Sequence, residues 1–507
     1  MANIPMEPMI VDWLFHHART RSDYIACIDL GTGRRFSYSQ FFDRVTRLAG
    51  ALRSRYGVKH GDRVMVVARN STDIYEIMFA AWRLGAVFMP INWRLATPEL
   101  EEIARDGDPG LIIADEEFTP GLPTGAIRVL ARKPGDATSE YEREISAGPP
   151  VLDFAAVDFD TMNTLLYTSG TTGKPKGVIG TWRMTTVMQL QAGVSAELTP
   201  HCVTLTAAPQ FHTAGLNSFA TSLFHLGGTL AVMSTWDAEK SLRHLADPAL
   251  GVTHTLGVPT QYLLMSRLPS FATARFPTLQ MAAVGGAPPS QALLEACAAQ
   301  GLPLTPGYGM TEVFGVTQMR ADVALRKPGA VGWPAIYTEF RVADDAGRVL
   351  PPGEVGEIQI RSAGVTPGYW RQPEATAEAF IDGWFRSGDL GYLDESGLLY
   401  LVDRKKDMYI SGGENVYPAE VENLMSGFPE VSQVAVIGVP NLKWGEVGLA
   451  VIVLRPGAAA SEIDLIERCR GRIAAFKIPK AVAFVNALPM SAQGKVQKNE
   501  LRRQHGR

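Results

Sequence analysis

The chain has 507 residues, with 48 Lys plus Arg against 52 Asp plus Glu, for a formal net charge of −4. That balance excludes a nucleic-acid binder that works by neutralising phosphates, and 46% apolar with 20% charged residues excludes a disordered chain. The length suggests about three folding units, with a core large enough to need neither disulfides nor a structural metal.

Cys27, Cys202, Cys297 and Cys469 lie far apart, so neither zinc-type spacing nor a disulfide framework is present. Residues 1–18 carry no basic leader, and no apolar run approaches the roughly 20 residues of a membrane span. A cytoplasmic location is the expectation. Residues 62–68 read as a buried strand, 72–84 as a helix closed by Gly85, and 86–90 as the next strand. The alternation resumes near 227–232, 253–258 and 279–284, which predicts parallel sheets with helices on their faces. Between 330 and 402 short alternating segments (339–342, 356–360, 398–402) separated by turns predict a small antiparallel β unit like a distorted barrel. A last stretch with a helix at 418–425, strands at 431–439 and 448–454 and a helix at 462–473 predicts a small α+β domain. The fold class is therefore α/β: two α/β subdomains and a β unit form one domain over 1–403, and a small α+β domain follows over 404–507. The basic tail (Lys498, Arg502, Arg503, Arg507) reads as solvated surface.

The densest chemistry is Tyr167-Thr-Ser-Gly-Thr-Thr-Gly-Lys-Pro-Lys-Gly177, which the apolar run 164–167 delivers as a strand. Its glycines let backbone N–H groups face an anion, and hydroxyls and ammonium groups add donors, so the loop suits a polyphosphate. It is not a Walker A loop, because Lys174 is followed by Pro175. Residues 178–179 read as a second short strand, with Thr181 capping the next helix. In 307–312, Tyr308, Thr311 and Glu312 combine an aromatic face, a hydroxyl and a carboxylate on a glycine-permitted bend; by themselves they also fit a tight turn. Asp389 in 387–391 is a lone carboxylate at a strand end, suited to two ribose hydroxyls. The charged run 403–415 with its glycine pair reads, in isolation, as a solvated face.

Taken together and in this order, from about residue 12 to the end, these runs and Met490-Ser-Ala-Gln-Gly-Lys495 resemble the adenylate-forming superfamily, in its acyl-CoA synthetase branch. The resemblance implies ATP, Mg2+ and coenzyme A as co-substrates, with an acyl-adenylate formed first and a thiol displacing AMP afterwards. It implies that Thr168, Ser169, Gly170, Thr171, Thr172, Gly173, Lys174 and Lys176 hold phosphates. Thr311 would bond the α-phosphate, and Glu312 would bind magnesium. Gly286, Ala287, Pro288, Tyr308 and Gly309 would frame adenine, with Asp389 and Arg404 on the ribose. Lys495 would be the catalytic lysine, His212 would lie against the carboxylate, and Lys406 would be the hinge of a mobile small domain. Ser411, Gly412, Gly413, Glu414, Trp444 and Lys477 match a coenzyme A face.

By the same resemblance Phe211, Leu216, Val284, Gly285, Met310, Val313 and Phe314 wall the acyl pocket, with Arg183 the only basic residue beside them. The expected reaction is therefore conversion of a hydrophobic monocarboxylic acid to its CoA thioester, a medium- or long-chain fatty acid first and an aryl or alicyclic acid second. The rivals are an adenylating enzyme that loads a carrier-protein thiol and a nucleotide-sensing protein that has lost catalysis. Partners are small molecules, with no nucleic acid and no integral membrane segment; the sequence leaves the oligomeric state open, a dimer included.

Overall fold

Two parallel sheets and one antiparallel sheet carry the large domain of the computed structural model, which describes residues 10–123, 127–169, 175–405, 407–411, 414–441, 444–491 and 495–506. The first sheet runs Arg128–Arg132, Leu111–Asp115, Arg63–Val67, Val87–Ile91, Met162–Ser169, Pro175–Thr181, parallel except for its last hairpin. The second runs Leu304–Pro306, Met281–Val284, His254–Gly257, Val203–Thr206, Thr229–Val232, Ile25–Asp29, Arg35–Ser37. Val87–Ile91 and Leu111–Asp115 bury every residue, as strands covered on both faces must. The expected helix is present as Asp73–Arg83, and Gly85 follows it at φ +70°, where a side chain would be strained.

A buried ionic cluster fixes the turn before that helix. Arg132, fully buried, lies 3.0 Å from Asp73 and 2.6 Å from Asp115, and it also bonds Ser71. Removing one partner would strand a charge in the core, so the turn at 69–73 is held firmly.

The antiparallel sheet runs Thr317–Gln318, Ala330–Pro334, Leu399–Arg404, Trp384–Leu393, Gly356–Ser362, Thr338–Ala343, with Phe380–Ile381 against Trp384–Leu393. Its longest strand, Trp384–Leu393, carries Asp389 in its interior rather than at the strand end expected from the sequence. The small domain pairs Glu414–Val416, Tyr409–Ser411, Gly445–Leu454 and Val431–Asn441, with Ala481–Phe484 parallel to Gly445–Leu454. The helix expected over 462–473 ends at Glu467, and Gly471 beyond it has φ +72°.

The basic tail corrects the sequence reading. It forms the helix Lys498–His505, whose Leu501 is buried with Ala435 and Ile437. That packing brings Lys498 to 2.8 Å from Glu422 and Arg502 to 2.9 Å from Asp407. Arg503 pairs locally with Glu500, and Arg507 lies outside the described residues. All four cysteines are free and buried, and no described helix is long and apolar enough to cross a membrane.

Candidate active site

The hairpin Met162–Ser169 and Pro175–Thr181 presents the glycine-rich loop, with Thr168 opposite Lys176 and Ser169 opposite Pro175. Gly170, Thr171, Thr172, Gly173 and Lys174 lie outside the described residues. Thr181 caps the following helix by accepting from Met184 N, as its sequence position predicts. The returning strand is tied to residues 366–370. Trp370 N donates to Gly177 O at 2.7 Å, Ile179 N to Gly368 O at 3.1 Å, and the Thr366 hydroxyl to Ile179 O at 2.7 Å.

The same segment reaches Glu312. Thr366 N donates to Glu312 O at 2.8 Å, and the Tyr369 hydroxyl donates to Glu312 Oε1 at 2.9 Å. Lys176 Nζ lies 5.0 Å from the Tyr369 ring centre, a cation–π distance. Burial, and then the Glu312 charge, raise the Tyr369 pKa, so the phenol stays a donor. Tyr369 thus joins the phosphate hairpin to the carboxylate expected to bind metal. Sequence reasoning missed it, since 366–370 signals only a Pro-Gly turn.

Thr311 and Glu312 stand on a hairpin in which Gly309–Met310 pairs with Phe314–Gly315. Phe314 has φ +56°, and a Cβ on Gly309 would lie 2.0 Å from Phe314 O, so this close approach admits only glycine. Behind the hairpin, the Tyr308 hydroxyl donates to Asp389 Oδ2 at 2.7 Å, and both residues are buried. Asp389 faces Arg404 across adjacent strands. The loop after Met281–Val284 exposes Gly286, Ala287 and Pro288.

Lys495 comes from the small domain to this loop: a Cβ on Gly286, which has φ +82°, would sit 3.1 Å from Lys495 Cε and 3.8 Å from its Nζ. The Ser491 hydroxyl accepts from Lys495 N at 3.2 Å, bracing the turn that carries the lysine. His212 belongs to the same place. Burial pushes its pKa down to about 3, with the Lys495 and Arg94 charges adding to the effect, so the imidazole is neutral across the physiological range.

The segment before His212 is clamped by Asn70. The Asn70 amide donates to Ala208 O at 2.9 Å and accepts from Gln210 N at 2.9 Å, while Gln210 Oε1 accepts from Ser71 N at 2.8 Å. The buried Arg132 cluster is what holds residues 70 and 71 in place.

Two of the expected acyl walls point elsewhere. Val284 packs beneath the sheet with Leu293 and Leu294, and Val313 packs with Tyr308 and Val316. Strand alternation instead turns Ala283 toward the acyl side, where it adjoins Phe219 and Leu256. Leu216 and Phe314 form a closed wall with Met184 and Met188. Phe211 is buried, and Met310 and Gly285 are partly accessible. Arg183 faces outward to Asp160 at 2.8 Å, but it is not the only cation nearby: exposed Arg94 lies 5.7 Å from the Phe211 ring centre.

On the expected coenzyme A face, Trp444 is 42% exposed and Glu414 is exposed, but Ser411 is buried against Gly445, which removes its side chain from that surface. Lys477 is engaged with Glu420 at 2.7 Å. Lys406, Gly412 and Gly413 lie outside the described residues, as does the Arg404 side chain. Among the described residues no group of three His, Cys, Asp or Glu could hold a metal by itself. A site with one carboxylate beside a phosphate loop fits Mg2+, which typically takes one or two carboxylates and completes its shell with phosphates and water.

The model of the AMP-binding enzyme family matches residues 14–370, and that of the AMP-binding enzyme C-terminal domain matches 420–495. The chain is 40% identical over 476 residues to a feruloyl-CoA synthase from Amycolatopsis sp, covering 94% of this chain and 95% of the relative. It is 36% identical over 505 residues to the long-chain-fatty-acid–CoA ligase FadD13 of Mycobacterium tuberculosis, covering 98% of each. Among solved structures, o-succinylbenzoate CoA synthetase (MenE) from Bacillus subtilis, in complex with its acyl-adenylate intermediate, superposes with a TM-score of 0.87 at 29% identity, covering 97% of each chain. The chain therefore belongs to the AMP-binding enzymes, in the CoA synthetase branch of the adenylate-forming superfamily, and is an AMP-forming acid–thiol ligase that uses ATP with Mg2+ and takes coenzyme A as co-substrate.

Proposed function

We propose that the enzyme activates an apolar monocarboxylic acid, a planar aryl acid first and a fatty acid second, as its CoA thioester in the cytoplasm. The observation that carries this reading is space left beside backbone glycines and along one pair of strands. A Cβ on Gly307 or Gly315 would meet nothing within 4 Å, and one on Gly285 nothing closer than 3.7 Å. Beyond Gly285, the paired residues Ala283 and Leu256 keep accessible surface in the interior of a seven-stranded sheet, which requires space beside them. At about 3.3 Å per residue the lane from Gly285 past Ala283 toward Met281 is roughly 13 Å long. Space bordered by glycine backbone admits a flat ring closely, which reverses the order read from the sequence; the lane's length keeps an alkyl chain as the second reading. The likeness to a feruloyl-CoA synthase supports the first and the likeness to a long-chain ligase the second.

In the first half-reaction a carboxylate oxygen of the acid attacks the α-phosphorus of ATP, and the bond to pyrophosphate breaks. Lys495 places its positive charge where carboxylate and phosphate meet, and Thr311 donates to the phosphate. Glu312, oriented by Tyr369, would hold Mg2+, which supplies charge neutralisation on the phosphates when bound. Neutral His212 packs against the carboxylate without competing with Lys495 for charge. Asp389, set by Tyr308, takes the ribose hydroxyls. In the second half-reaction the thiol of coenzyme A attacks the acyl carbon and AMP leaves. The small domain, taken as 404–507, turns about Lys406 between the two steps, replacing Lys495 with the 411–414 segment.

A second carboxylate on the acid would be costly beside Ala283, Leu256 and Met281, which carry no charge to pair with it; Arg94, 5.7 Å from the Phe211 ring centre, is exposed. Each buried methylene or ring carbon adds about 0.8 kcal/mol. Pyrophosphate release across cinnamate, ferulate, benzoate, octanoate, palmitate, acetate and malonate is expected to give the highest kcat/KM with the arylpropenoates. Ala283→Phe should lower it for those acids and leave acetate unaffected. A preference for acetate or malonate would overturn this reading of the lane.

A further inference from the structure

The last helix begins shortly after the catalytic lysine and contacts Asp407, the residue that follows the expected pivot. Lys498–His505 begins three residues after Lys495. Lys498 and Arg502 are four residues apart and so share one face of the helix. Arg502 Nη2 lies 2.9 Å from Asp407 Oδ1, with the two side chains 28% and 13% exposed. Lys498 Nζ lies 2.8 Å from Glu422 Oε1, which also accepts from Val436 N at 2.7 Å. Asp403 Oδ2 accepts from Ala419 N at 2.9 Å at the start of the helix Pro418–Ser426.

Residues 405 and 407 are held by different domains. Lys405 N donates to Gly388 O at 3.0 Å, and Lys405 Nζ lies 2.7 Å from Asp345 Oδ1 and 3.5 Å from Glu357 Oε2, all on the large domain. Asp345 is 88% exposed, so that pair is screened and weak. Asp407 is gripped from the small domain, and its pair with Arg502 is largely buried, so loss of one partner strands the other. The asymmetry makes Arg502 the firm contact beside the pivot.

We propose that Arg502 is a positioning residue for Lys495. By gripping Asp407 it makes the chain after the pivot and the last helix one rigid strut, so that the turn of the small domain places Lys495 at the 285–287 loop. This rests on the reading of Lys495 as the adenylating lysine and of residue 406 as the pivot. The helix then carries the turn of the small domain through to the lysine.

The test uses the full-length enzyme, with adenylate formation from cinnamate and ATP and thioester formation from preformed cinnamoyl-adenylate and coenzyme A measured separately. Arg502→Ala is expected to lower kcat for adenylate formation by about 10²-fold, the cost of an ångström-scale misplacement, while KM for ATP stays within about twofold. Thioester formation from preformed adenylate should be nearly unchanged. Arg502→Lys should retain part of the activity, and the charge exchange Arg502→Asp with Asp407→Arg should restore most of what either single change removes. Equal losses in both half-reactions, or an exchange that restores nothing, would overturn the proposal. Lys495→Ala runs alongside: if it does not separate the half-reactions, the underlying reading of Lys495 fails. If it does and Arg502→Ala does not, only the strut fails.

Discussion

Lys495→Ala is expected to lower adenylate formation by about 10²- to 10³-fold, the usual effect of removing one aligned charge or donor from a transition state. Thioester formation from preformed adenylate and coenzyme A should continue at nearly the wild-type rate. The expectation rests on where the lysine lies. Its Cε would be 3.1 Å from a Cβ at Gly286, and its charge helps lower the His212 pKa, which suits the place proposed for it between nucleotide and acid. Negative charge on carboxylate and α-phosphate converges there only in the first step. In the second step the thiol attacks the acyl carbon and AMP leaves with the bonding pair on its phosphate oxygen; on the proposed domain turn the lysine has by then moved away, so its loss has little effect there. Pyrophosphate exchange and single-turnover thioester formation measure the two separately. A similar loss in both would remove the division of labour between domain positions.

Gly309→Ala should be nearly as damaging without touching any charged group. A Cβ there would lie 2.0 Å from Phe314 O and 2.7 Å from its carbonyl carbon, both backbone atoms of the partner strand. The hairpin would have to open, and it carries Thr311 and Glu312 at its tip. Displacing those groups by an ångström costs about 10²-fold in rate. Buried Tyr308 and Val316 on either side belong to the packed core of the β unit, so the domain should stay folded while kcat for adenylate formation falls. Retention of full activity with the native thermal midpoint would mean that the hairpin does not set the positions of Thr311 and Glu312.

What was legible in the sequence was chemistry written in consecutive residues. The 167–177 loop announces its type by composition, whereas Thr311, Glu312, Asp389 and Lys495 take their expected roles from the family resemblance; the structure brings Lys495 to Gly286 across 209 positions of chain. What was not legible depends on tertiary neighbours. Tyr369 matters because a bridge to Val178 places it between Lys176 and Glu312, and nothing in 366–370 carries phosphate chemistry. Asn70 and Gln210 act through backbone partners far away in sequence. Val284 and Ala283 illustrate a different limit: in a strand covered on both faces every residue is apolar, so alternation cannot say which side chain faces the acid. The tail charges were misread because a Lys/Arg-rich helix looks solvated until Leu501 is seen to anchor it.

In the proposed reaction the acid's own carboxylate attacks the α-phosphorus of ATP, and AMP carries away one of its oxygens. Turnover of cinnamate labelled with 18O in both carboxylate positions, with ATP, Mg2+ and coenzyme A, tests this by mass spectrometry of the nucleotide product. The expected products are AMP containing one 18O atom, unlabelled pyrophosphate and a thioester retaining the other label. Unlabelled AMP, or ADP and labelled phosphate in its place, would contradict it.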